Sequence, residues 1–159
     1  MAPRVRLFIL ITVGGLALIS GATAVADTAS EARAIALEFD RMQHAVQTRD
    51  SLSIGVFYSD SALSLLANRP MQRGREAIVR RWKSTFAFGF VVRATGHEIH
   101  VSPGLEDAFQ IASFAVFPAD TAAHPVATGN LLLLWRKDHE RWKVAVEMDN
   151  SGSATARVK

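Results

Sequence analysis

The sequence predicts an α+β fold in which helices come first and an antiparallel sheet follows. Apolar residues recur at helical spacing as far as about residue 86. From Gly89 onward the period is two, and turn signals cut the second half into four long strands. With 159 residues, 49% of them hydrophobic and 21% charged, the chain suits one domain with a substantial core. It contains no cysteine, which excludes a disulfide scaffold, thiolate zinc sites, iron–sulfur ligation and a cysteine nucleophile.

The first segment has the pattern of a removable leader. Arg4 and Arg6 form a positive start, Leu7 to Ser20 an apolar run, and small residues follow through Ala24-Val25-Ala26. The run is 14 residues, short of the ~20 a membrane-spanning helix needs. Residues 1–26 are therefore read as a secretory signal peptide, 27–151 as the domain and 152–159 as a tail. Export to the periplasm or outside the cell is the expectation. Loss of the leader removes two basic residues and no acid, leaving 16 basic against 15 acidic side chains. The cluster Arg73, Arg75, Arg80, Arg81 and Lys83 then sits on a nearly neutral domain, so no nucleic-acid partner is expected. No membrane association is expected after cleavage.

Thr28-Ala29-Ser30-Glu31 has the form of a capping box, and Ala32, Ile35, Phe39, Met42 and Val46 make a helical stripe. The first helix is expected over about 30–48. Asp50 is the N-cap of a short second helix through Phe57, with Leu52, Val56 and Phe57 facing inward. Tyr58-Ser59-Asp60-Ser61 reads as a turn and 62–66 as a short strand. A third helix, about 75–86, turns Ile78, Trp82 and Phe86 to the core and Arg80, Arg81, Lys83 and Ser84 away.

The long strands are expected at about 90–102, 106–117, 126–137 and 141–149. In the first, Phe90, Val92 and Ala94 are even-numbered, whereas Ile99 and Val101 are odd-numbered. One apolar face then requires a bulge near Thr95-Gly96. Leu131 to Trp135 is apolar at every position, and Phe109 to Phe117 is similarly two-faced. Helices cover only one face of such a sheet, so a homodimer through the outer sheet face is expected.

The order of these elements resembles the nuclear transport factor 2-like superfamily, closest to its SnoaL-like branch. The residues that carry the resemblance are Arg49-Asp50, Phe57 to Ala62, Arg73-Gly74-Arg75-Glu76-Ala77-Ile78, Gly129, Trp135-Arg136 and Arg141-Trp142-Lys143-Val144. They span roughly Ser30 to Ser151. The resemblance implies a cone: a curved antiparallel sheet wrapped around the first helix, with a pocket at its open end. The superfamily includes ketosteroid isomerases, dehydratases, cyclases and association domains, so fold alone does not fix function. The isomerases' tyrosine, general base and proton-sharing aspartate correspond to Met42, Leu66 and Asn130 here, so their paired-acid chemistry is not expected.

Other chemistry has few candidates. His97-Glu98-Ile99-His100 lies on a strand, which turns the two imidazoles to opposite faces, so no metal site is expected. Nucleophile-elbow, phosphate-loop and dinucleotide patterns are absent from the sequence, and no cofactor is expected. Trp142, Val144, Val146 and Met148 share one strand face; Lys143, Ala145, Glu147 and Asp149 share the other. If a bulge turns the strand end inward, Asp149 meets Asn130 or Tyr58 and can act as a general base. Strand parity favours the plainer alternative, in which Glu147 and Asp149 are solvated or bind Arg93 or Arg136. His44 falls one position off the apolar stripe, at a boundary. Phe39, Met42, Trp82, Phe86 and Trp135 are core residues that would also wall a cavity for a small apolar or aromatic molecule. The expectation is a binding or association module, with a cofactor-independent isomerase, dehydratase or cyclase as the alternative.

Overall fold

The computed structural model describes residues 19–119 and 124–153. The leader up to residue 18 and the tail beyond Ser153 lie outside the described residues. The elements are α1 (Ile19–Gln47), α2 (Ser51–Gly55), β1 (Tyr58–Leu65), β2 (Gln72–Arg73), α3 (Arg75–Ala87), β3 (Phe90–Val101), β4 (Asp107–Pro118), β5 (Ala127–Asp138), β6 (Arg141–Asp149) and β7 (Gly152–Ser153). They form a mixed α+β structure with a curved, unclosed sheet in the order β2-β1-β6-β5-β4-β3, and β7 adds to β5. Among the described residues no helix is long and apolar enough to cross a membrane.

The helical stripe of α1 is as expected, with Ile35, Phe39, Met42 and Val46 all buried. Its start is not. The helix begins at Ile19 rather than Ser30, because no proline stops the winding ahead of Thr28. Glu31, expected to fold back as a cap, instead ties the helix to the sheet. Its Oε1 accepts from Lys137 Nζ at 2.6 Å and its Oε2 from Trp142 Nε1 at 2.6 Å. These bonds hold the carboxyl below the usual glutamate range, the Lys137 contact contributing most.

Asp50 caps α2 as expected, its Oδ1 accepting from the Leu52 and Ser53 amides at 3.2 and 3.0 Å. The helix ends earlier, at Gly55, and turns a different face inward. Ile54 and Phe57 are buried, whereas Leu52 and Val56 are exposed. A five-residue helix is too short for an apolar stripe to fix its rotation. The segment Ser59-Asp60-Ser61, expected as a turn, lies within β1. Its turn chemistry survives as an irregularity: β1 passes from Tyr58, opposite Val144, to Leu63, opposite Val146, so its three polar residues bulge out.

β3 to β6 form the expected antiparallel meander. The sheet is not antiparallel throughout, however. β1 runs parallel to β6, which the long connection through the meander permits. The β3 bulge falls between Thr95 and His97, where Gly96 is unpaired with φ at 57°. It keeps Val92 and Ala94, then Ile99 and Val101, against the core. A second shift lies opposite Leu134 and Trp135: these neighbours pair with Val146 and Val144, so Ala145 is the extra residue in β6. Trp142 and Val144 face the core before it, and Glu147 faces the core after it. Beyond β6 the chain runs on along β5 in the same register, pairing Gly152 with Thr128 and Ser153 with Ala127. The first residues of the expected tail are thus part of the sheet. Gly129 permits the approach, since a Cβ there would stand 2.9 Å from Ser151 Cα and 3.0 Å from the Phe114 ring.

Candidate functional site

A cavity of about 320 Å³ opens between α1, α3 and the concave face of the sheet. Most of its wall is apolar: Met42 and Val46 from α1, Val92 and Ala94 from β3, and Phe114 and Leu131 from the middle strands. Phe88, which closes α3, and Val126, which precedes β5, also line it and are exposed.

One part of the wall is polar, and the Ala145 bulge builds it. Glu147 turns inward and is 5% exposed. Its Oε2 accepts from Arg81 Nη2 at 2.8 Å and from Ser64 Oγ at 3.0 Å. Arg81, expected to point to solvent from α3, is as buried as its partner, each side chain being 7% exposed. Its guanidinium also lies 4.6 Å over the Trp82 ring. A buried charge needs a partner, and this ion pair gives each charge its counter-ion. It replaces the pairings anticipated for the acids, because Arg136 binds Asp107 instead and Arg93 lies over Phe117.

Tyr58 starts β1 and is fully buried beside this pair. Burial pushes its phenol far above the usual tyrosine range; the nearby Glu147 charge pushes further and Arg81 opposes it. Tyr58 Oη, Arg81 Nε and Trp82 Nε1 are sealed from solvent and make no well-aligned hydrogen bond, although the Tyr58 hydroxyl lies within reach of Trp82 and Glu147. All three residues line the cavity.

Asp149 also lines the cavity, half-buried at the end of β6. Its Oδ1 accepts from the Ala67 amide at 2.6 Å and from Ser151 Oγ at 3.5 Å. Asn130 is not beside it. Asn130 is exposed on the other face of β5, where its side chain accepts from Ser113 Oγ at 3.4 Å. Of the three acid–base candidates, Asp149 and Tyr58 therefore share one cavity and Asn130 stands outside it. Of the five expected wall residues, Met42 and Trp82 line the cavity. Phe39 and Trp135 are buried in the core below it. Phe86 packs on Trp82 with ring centroids 5.5 Å apart, but does not line the cavity. Among the described residues no three His, Asp or Glu side chains gather to hold a metal ion.

Sequence reasoning missed Arg81 and Glu147 as a unit. Arg81 precedes Trp82 on α3, so the helical stripe alone placed it outside. A buried partner on β6 becomes visible only once the bulge is known.

The chain has the cystatin-like fold of nuclear transport factor 2-like proteins, as the sequence resemblance implied. No family model and no curated protein matches it. Solved structures do. It is similar to a nuclear transport factor 2-like protein with a cystatin-like fold from Novosphingobium aromaticivorans (15% identity, TM-score 0.70), covering 91% of this chain and 97% of that one. A ketosteroid isomerase-like protein from Erwinia carotovora atroseptica matches at 20% identity and TM-score 0.63, over 77% of this chain and 97% of that one. A putative scytalone dehydratase from N. aromaticivorans matches at 15% identity and TM-score 0.64, over 80% and 88%. At these identities the likeness is one of fold.

Proposed function

We propose that this domain binds a small, largely apolar molecule in the cavity beneath α1, as an exported and dimeric module. The observation that carries the reading is the cavity itself: about 320 Å³ of mostly apolar-walled space beside the buried core. Ligand sites are concave, mostly apolar and furnished with a few polar groups, and this one has that composition. The tripartite segment ahead of Asp27 supports export. The outer sheet face supports self-association, since Phe109, Ile111, Leu132 and Met148 are each about 40% exposed there.

Native mass spectrometry of the domain from Asp27, purified gently, tests the pocket. A retained small molecule, or thermal stabilisation by small aromatics, supports it; neither one overturns it. Light scattering showing a monomer at micromolar concentration removes the dimer, and a cell fractionation that finds the protein in the cytoplasm removes export.

A second reading rests on Asp149. Its carboxylate sits in the cavity wall opposite no buried cation of its own, as a base in a cofactor-independent isomerase, dehydratase or cyclase would. Asp149→Asn keeps the acceptor for the Ala67 amide while removing the base. Loss of turnover with ligand binding intact supports an enzyme; unchanged turnover removes Asp149 from the chemistry.

A further inference from the structure

We infer that the cavity takes a small monocarboxylic acid, whose carboxylate pairs with Arg69 at the rim while its apolar body fills the hollow. The inference rests on the small-molecule reading above and names the ligand's class.

Three observations carry it. The first is the charge along the wall. Four ionised side chains line the cavity, Arg69 and Arg81 against Glu147 and Asp149. Arg81 and Glu147 bind each other at 2.8 Å and are both buried, so that pair is closed. Asp149 has donors of its own, the Ala67 amide at 2.6 Å and Ser151 Oγ at 3.5 Å. Arg69 has no such partner: among the described residues no acid stands within ion-pair distance of its guanidinium.

The second is placement. Arg69 is exposed, but its backbone is held. Its amide donates to Leu66 O at 3.2 Å, Asn68 takes a φ of 58°, and the Ala67 amide is bound to Asp149. This turn follows β1 and lies against the end of β6, since Leu65 pairs with Met148. Ser64 pairs with Glu147 one step earlier, so the buried ion pair lies further in. A fixed turn thus carries Arg69 at the solvent end of the polar wall. A carboxylate held there keeps part of its hydration, which avoids the cost of burying a charge.

The third is the apolar surface that leads to the rim. Phe88 is 76% exposed and Val126 45% exposed, and both line the cavity. An apolar body with a charged head at one end matches that order. Asp149 limits the head to one negative charge, because a doubly charged phosphate monoester would meet a single unpaired cation beside an anion. A carboxylate needs one cation, and the planar guanidinium offers it two parallel N–H donors.

The test is a calorimetric titration of the full-length protein with four probes that share one chain: octanoate, octanol, octylamine and octyl phosphate. Octanoate is expected to bind roughly 3- to 10-fold more tightly than octanol, the range a partly solvated, charge-assisted pair supplies. The advantage should shrink as ionic strength rises from about 0.02 to about 0.3 M. Arg69→Gln should remove it and leave octanol unchanged, while Arg69→Lys keeps part of it. Equal affinity for octanoate and octanol overturns the inference and leaves the apolar pocket standing. So does a preference for octanoate that survives Arg69→Gln. Tighter binding of octylamine overturns it in favour of Asp149 as the anchor, and tighter binding of octyl phosphate overturns the choice of carboxylate. Failure of all four probes, with no co-purified molecule, removes the pocket reading as well.

Discussion

Two ends of the same helix–sheet interface solve one problem in opposite ways. Near the β5–β6 hairpin, Trp135 and Trp142 are buried and both indole N–H groups donate, to Gln110 Oε1 at 2.9 Å and to Glu31 Oε2 at 2.6 Å. At the cavity end Trp82 is also buried, but its indole makes no well-aligned hydrogen bond. The hairpin end is filled with side chains; the cavity end has space for a guest. One domain thus divides into a filled part, although Gln110 Nε2 there also lacks a partner, and a part that keeps a hollow.

Substitutions can break or sharpen this contrast. The largest effect is expected at the filled end. Trp135→Ala should cost about 4 kcal/mol, since it empties a fully buried site and strands Gln110, and urea denaturation would show it. Next is Glu147→Ala, which leaves Arg81 buried and unpaired and should cost about 3 kcal/mol. The double change with Arg81→Met should recover part of that loss, which a denaturation cycle measures.

Glu31→Gln should cost about 1–2 kcal/mol and alter the pH profile. The folded-state pKa of Glu31 lies below its ordinary value, so its contribution is present above that value and is lost as pH falls through the acid range. The parent should therefore lose stability below about pH 4.5 more steeply than the Gln variant in parallel thermal melts. The smallest effect is expected at the cavity end. Tyr58→Phe should change stability by less than about 1 kcal/mol, in either direction, because it removes a hydroxyl that makes no well-aligned hydrogen bond. A loss of several kcal/mol in the melt would erase the contrast between the two ends.

The filled end was the more legible in the sequence. The stripe Ile35, Phe39, Met42 and Val46, the cap at Asp50 and the meander are local patterns, and local patterns survive folding. Even the β3 bulge announced itself, because its parity switch came with Gly96. The cavity end was hidden by a bulge that has no such marker. Ala145 is an ordinary strand residue, and the run Trp142, Val144, Val146, Met148 is apolar at every second position, so the sequence reads as one continuous face. In the structure Val146 and Met148 turn outward and Glu147 inward. The short α2 and the parallel pairing of β1 were similarly illegible, since each is set by distant packing. The conditional placement of Asp149 anticipated such a bulge; Asn130 beside it did not follow, because β5 keeps its parity there.

The Ala145 bulge also changes what a length mutation does. In a regular strand, deleting one residue inverts every side chain beyond it. Here a deletion at Ala145 would remove only the extra residue: Trp142, Val144, Glu147 and Asp149 would then alternate inward along an unbroken strand, and Val146 and Met148 would stay outward. The cavity would keep its acids, with Trp142 and Val144 undisturbed. The strand carries one spare residue, and losing that one codon is a deletion in β6 that its pattern of faces absorbs.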